Sequence, residues 1–135
     1  MKICVCGWYF YPEFMKQLKQ VSRKYPVAVV AHKQQEIDLP HVYTPNVGLE
    51  WGAYNHYLMR FYDGKDKVLF IHDDMEVYDL KFFDDINDSK LDVGFVFRNE
   101  SESKWAFGAH GRAIIMSEKF LNYTKSKKFK MRVKD

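Results

Sequence analysis

Apolar positions along the chain fall into short continuous runs, separated by stretches with helical spacing. Lys2 to Trp8 (KICVCGW) is apolar and rich in strand formers, and predicts a first strand. In Pro12 to Tyr25, the residues Phe14, Leu18, Val21 and Tyr25 recur at helical intervals, predicting an amphipathic helix opened by Pro12 and stopped by Pro26. Val27 to Ala31 (VAVVA) is β-branched and wholly apolar, and His41 to Thr44 gives a shorter candidate strand ahead of Pro45. Tyr54, Tyr57, Leu58 and Phe61 form one face of a second helix that starts near Asn46 or Gly48 and ends near Asp63 and Gly64. Lys67 to Val77 (KVLFIHDDMEV) then predicts a buried strand that carries Asp73 and Asp74 to its end. The acidic stretch Asp79 to Asp92 reads as a loop with at most a short helix. Val93 to Phe97 and Ala113 to Met116 are further strands, and Ser117 is placed to cap a closing helix through Phe120, Leu121 and Tyr123.

Strands that alternate with helices, and that are continuously apolar rather than alternating, indicate an α/β fold. The expected core is a mostly parallel sheet covered on both faces. With 135 residues, 47% hydrophobic and 17% aromatic, the chain can bury a substantial core in one domain, expected over residues 1–124, and a disordered or fibrous reading is excluded. Neither a signal peptide nor an apolar stretch long enough to span a membrane is present, so a cytoplasmic location is expected. Cys4 and Cys6 are the only cysteines, and their spacing within a strand suits buried thiols rather than a disulfide or a zinc site.

The net charge of +3 is unevenly spread. Residues 125–135 (KSKKFKMRVKD) carry +5, leaving −2 on the rest. This tail is either a solvated terminus or a peripheral contact for an anionic membrane surface. The −2 remainder argues against nucleic acid as a partner.

In open α/β sheets, ligands bind beyond the carboxyl ends of the strands. The first strand is followed by Gly7, Trp8 and Tyr9, the second by His32 and Lys33, and the fourth by His72, Asp73, Asp74 and Glu76. Adjacent carboxylates are costly to bury unless something positive or strongly donating meets them. A hard divalent ion shared with a diphosphate is one such partner, and solvation on a surface turn is the other reading. Asn46 and Gly48, in NVGLEWGAYN, stand at a helix start where free N–H groups favour an anion, although an aromatic packing helix also explains this segment.

Taken together, these segments resemble the nucleotide-sugar glycosyltransferases of the GT-A fold, a Rossmann-like nucleotide-binding fold here in a short version. The resemblance covers Met1 to about Tyr123, with His72-Asp73-Asp74 where the family carries its DXD motif. It implies a metal-dependent transfer of sugar from a nucleoside diphosphate sugar, a UDP-sugar or GDP-sugar, to a hydroxyl of a glycan or another acceptor. It implies Asp74 as the ligand of Mn2+ or Mg2+, His72 and Asp73 at the ribose, and Gly7, Trp8 and His32 around the base. Asn46 and Gly48 match the segment lying along nucleotide and sugar, and Gly108, His110, Gly111 and Arg112 match the glycine segment beside the sugar and acceptor.

The departures from the family pattern are specific. His72 stands where the family has Asp. Inverting members place a catalytic acid beyond the glycine segment, where this chain has only Glu118 and Asp135. His110 and Glu100 are therefore the remaining candidate bases. A non-catalytic nucleotide-sugar-binding module, or the donor-binding portion of a longer enzyme, is the alternative.

Overall fold

The computed structural model describes residues 1–95 and 113–126. Its elements run β1 (Lys2–Gly7), α1 (Pro12–Val21), β2 (Val27–Ala31), β3 (His41–Tyr43), α2 (Leu49–Arg60), β4 (Val68–His72), α3 (Lys81–Asp88), β5 (Val93–Phe95), β6 (Ala113–Met116) and α4 (Glu118–Ser126). They build one six-stranded sheet in the order β3-β2-β1-β4-β6-β5. Pairings among β3, β2, β1 and β4 are parallel, while β6 runs antiparallel to both β4 and β5. The fold is thus α/β with a mostly parallel sheet flanked by helices, as the apolar runs predicted.

Both faces of the sheet are covered, and the period of two along each strand sorts the side chains between them. Ile3, Val5, Val29, Ala31, Leu69, Ile71, Ala113 and Ile115 point to one face, where Phe14, Leu18 and Val21 of α1 and Phe83 of α3 meet them. Cys4, Cys6, Ala28, Val30, Val68, Phe70 and Ile114 point to the other, against Ala53, Tyr54 and Tyr57 of α2 and Leu121 of α4. This explains why the strands read as continuous apolar runs: neither face is solvent. Cys4 and Cys6 are buried free thiols, and burial raises the pKa of both well above the ordinary thiol value.

Several boundaries differ from the sequence expectation. β4 ends at His72 rather than Val77, because Asp73 and Asp74 leave the ladder there. The acidic stretch after Asp79 contains α3, whose Phe82, Phe83 and Ile86 face the core while its acids face solvent. α2 starts at the second of its two expected positions, with Gly48 as N-cap at φ 84° in the left-handed region and no side-chain cap. At α4 the expected cap is present, with the Phe120 N–H donating to Ser117 Oγ at 3.0 Å.

Phe70 is fully buried between Tyr54, with ring centroids 4.5 Å apart, and Tyr57, edge-on at 5.8 Å. Phe70→Ala should cost about 3–5 kcal/mol, read as a fall in the urea midpoint at unchanged slope. On the opposite face, Asp84 of α3 accepts hydrogen bonds from Lys24 Nζ, at 2.7 Å, and from Tyr25 Oη, just beyond α1. Lys24, and then Tyr25, hold its carboxyl below the usual carboxylate range. A depressed carboxylate adds stability above its unfolded pKa and loses it as the pH falls through the folded value. Asp84→Asn should accordingly lower Tm at neutral pH, and the difference from wild type should close in acid.

Candidate functional site

Because the chain moves outward from β1 through β2 to β3 and then returns to place β4 on the other side of β1, its topology reverses between β1 and β4. At such a switch point in an open α/β sheet a crevice lies at the strands' carboxyl ends. A cleft of about 140 Å³ lies there, lined among the described residues by Cys6, Gly7, Trp8, His32, Asn46, Leu49, Glu50, His72 and Asp73. Six positions singled out from the sequence therefore meet around one space. Gly48 caps the helix whose first turn supplies Leu49 and Glu50, and Asp74 follows Asp73 beyond the strand, half-buried.

Asp73 organises this edge. Its side chain leaves β4 toward β1, and a single carboxylate oxygen, Oδ2, accepts the backbone N–H groups of Trp8 at 2.9 Å, Tyr9 at 2.8 Å and Phe10 at 3.0 Å. Its own N–H donates to Cys6 O at 3.0 Å, and its carbonyl accepts from the Tyr11 N–H at 3.2 Å. Three successive donors aimed at one anion form a nest, filled here by a carboxylate of the same chain. The arrangement requires a glycine at position 7, since a Cβ there would overlap Cγ, Oδ1 and Oδ2 of Asp73. It also holds Phe10 at φ 52°, a left-handed conformation that a bulky residue seldom adopts, while the Phe10 ring is buried in the core.

The consequence for Trp8 is that both of its peptide groups are fixed. Its N–H is held by Asp73, and its carbonyl accepts from Gln35 Nε2 at 2.7 Å. The indole, 41% exposed, is thereby presented at the cleft mouth beside the His32 ring, with centroids 5.6 Å apart and planes tilted by 53°. His32 is half-buried; its N–H donates to Gly7 O at 2.9 Å, and its Nδ1 lies 3.0 Å from Thr44 O. Trp51, also partly exposed, packs edge-on against Tyr54.

Glu50 is the cleft residue that sequence reasoning missed. It sits in the first turn of α2, where the helix dipole favours a carboxylate, and it lies inside the NVGLEWGAYN segment that pointed to the site. Burial first, and then the negative charges of Asp73, Glu50 and Asp74, raise the Cys6 pKa, so this cleft thiol stays protonated and unreactive. Among the described residues, no group of three or more His, Cys, Asp or Glu side chains is gathered to hold a metal ion. A protein-only cage is thus not built from them, and a hard ion at Asp74 would need oxygens from a ligand, the usual habit of magnesium and its analogues. Glu100, Trp105, Gly108, His110, Gly111, Arg112 and most of the basic tail lie outside the described residues.

The class these features define is an open, mostly parallel α/β sheet with its cleft at the topological switch point. No protein-family model matches the chain, and no curated protein matches it. Among solved structures it is similar to the apo form of the glycosyltransferase GlyE of Streptococcus pneumoniae TIGR4. The identity there is 15% and the TM-score 0.48, over 98% of this chain and 40% of that one. A second GlyE structure from the same organism gives 16% identity and a TM-score of 0.49, over 93% of this chain and 37% of that one. The chain therefore spans less than half the length of GlyE. Among the described residues, no helix is long and apolar enough to cross a membrane.

Asp73→Ala removes the acceptor of three backbone N–H groups and should destabilise the fold by about 3 kcal/mol or more. Asp73→Asn, which retains an acceptor oxygen of the same reach, should lose less. Gly7→Ala should be at least as harmful as Asp73→Ala, and the double variant less harmful than the sum of the two, because each change removes the reason for the other's cost. Chemical denaturation of the four variants checks the ordering.

Proposed function

We propose that the chain is a glycosyltransferase domain of the GT-A type, or the donor-binding portion of one, and that its cleft binds a nucleoside diphosphate sugar together with Mn2+ or Mg2+. The observation that carries this reading is the meeting of Gly7, Trp8, His32, Asn46, His72 and Asp73 around one cleft at the switch point. Residues drawn from four separate loops, each placed by the end of a strand or the start of a helix, converge there. A packing role alone does not account for an exposed tryptophan fixed through both of its peptide groups.

In this reading the Trp8 indole provides a face for the base, and Asn46 with the first turn of α2 borders the diphosphate. His72 stands where the ribose passes between β1 and β4. The electrostatics favour a cation. Glu50 and Asp73 give the described walls negative charge, and a diphosphate brings more, so an ion between them offsets the repulsion. Asp74, at the end of β4, is the residue that would hold it. The bound ion supplies charge neutralisation for the departing diphosphate, with acceptor deprotonation left to a base for which Glu100 and His110 are the candidates. Transfer to an acceptor hydroxyl is the reaction this arrangement suits.

Calorimetric titration with UDP-sugars and GDP-sugars, with and without manganese, tests the reading. Binding should require the metal. Asp74→Ala should abolish the metal-dependent part, and Trp8→Ala should weaken binding by about tenfold through lost stacking. An Asp74→Ala variant that binds with wild-type affinity and metal dependence would overturn the assignment.

A further inference from the structure

The loop after β1 is gripped from two sides. From β4, the Asp73 carboxylate holds its N–H groups. From the other side, the segment between β2 and β3, residues 32–40, holds the Trp8 carbonyl and meets the Tyr9 ring. Gln35 Nε2 donates to Trp8 O at 2.7 Å and to Lys33 O at 3.2 Å, and Lys33 Nζ lies 5.9 Å from the centroid of the Tyr9 ring. Both partners of the Gln35 amide are carbonyl oxygens, which only accept, so its nitrogen and not its oxygen faces them. Gln35 is fixed in turn. Tyr43 Oη, at the end of β3, donates to its backbone carbonyl, and Ile37, two residues on, is buried in the core. A relay therefore runs from the edge of the sheet through Gln35 to the backbone of Trp8.

We propose that Gln35 is a positioning residue, which sets the Trp8 indole at the cleft mouth by clamping the Trp8 carbonyl. Gln35 does not itself line the cleft, so it acts through Trp8. The consequence for binding rests on the nucleotide-sugar reading, in which Trp8 meets the ligand; the clamp itself does not. The two grips differ in kind. The Asp73 carboxylate satisfies three donors at once, and the path of the loop depends on it. The Gln35 contact lies at the surface, where water takes the place of a lost partner, and its removal leaves the three Asp73 bonds and the buried Phe10 ring as they are. What it does remove is the restraint on the peptide group that follows Trp8, and the indole gains freedom with it. Ligand binding must then order the ring as well as cover it, so the loss falls on affinity rather than on stability.

Two measurements test this. With Trp51→Phe and Trp105→Phe, Trp8 is the sole tryptophan of the chain. The time-resolved fluorescence anisotropy of its indole should then show a larger fast component in Gln35→Leu than in the parent, and an unchanged fast component would overturn the clamp whatever the ligand. Calorimetric titration of the full chain with UDP and with GDP, in buffer containing manganese, reads the consequence. Gln35→Leu, and Gln35→Glu, which sets carboxylate oxygens against the two carbonyls, should each weaken binding by about three- to tenfold, with Tm within about 2 °C of wild type. On a Trp8→Ala background, Gln35→Leu should weaken binding no further, because the group it positions is gone. Wild-type affinity in both Gln35 variants, or an equal loss with and without Trp8, would overturn the positioning role while leaving the nucleotide site standing. Absence of binding by both nucleotides to the unaltered chain would overturn the nucleotide-sugar reading, and the anisotropy would still decide the clamp.

Discussion

The carboxylate of Asp73 and the three N–H groups it gathers decide the shape of the functional edge. The loop after β1 must leave the sheet, expose an indole, bury a phenylalanine and enter α1 within a few residues. Left to itself it would have three unsatisfied donors and a phenylalanine in a sparsely populated backbone region. One oxygen atom from the neighbouring strand resolves both problems. Its bonds are charge-assisted, partly or wholly sheltered from water, and so stronger than ordinary surface contacts. Parallel pairing of β1 with β4 is what brings that oxygen within reach, in a register where Cys6 lies opposite His72 and Asp73 follows directly.

The triplet His72-Asp73-Asp74 divides at this edge, because only its middle residue is tied to the loop after β1. The middle residue is turned toward the loop after β1, and its neighbours on either side are half-buried at the strand end. Alternation along a strand explains why adjacent residues take different directions, and the end of the ladder at His72 gives the two aspartates the freedom to separate. A pair of acids that looks like one motif in the sequence is therefore two devices. One builds the wall of the cleft, and the other follows it, half-buried, beyond the strand end.

Much of the architecture was readable before the fold was seen, because the driving pattern is coarse. VAVVA, and the apolar runs in Lys2–Gly7 and Val68–His72, are each buried from both sides, and helices with apolar residues at regular spacing pack over them. The strand-end rule then brought Gly7, Trp8, His32 and His72 to attention, and they do share a cleft. The role of Asp73 was not readable, since its partners are backbone atoms more than sixty positions away and leave no side-chain signature. Glu50 was hidden for a related reason: its position in the first turn of a helix already accounted for it locally. α3, expected as at most a short helix, was obscured by its three aspartates, which conceal the three apolar residues that face the core.

The contact between Gly7 and Asp73 also constrains how the chain can change over generations. No larger residue fits at position 7 while the carboxylate occupies that volume, and the carboxylate cannot leave without releasing the loop that Gly7 begins. A change at either position is therefore felt at the other, so the two are coupled by geometry. That pair, a glycine closing one strand and an aspartate just beyond its parallel neighbour, is expected to change together wherever this edge is kept, so covariation of the two columns is the imprint the contact would leave on an alignment.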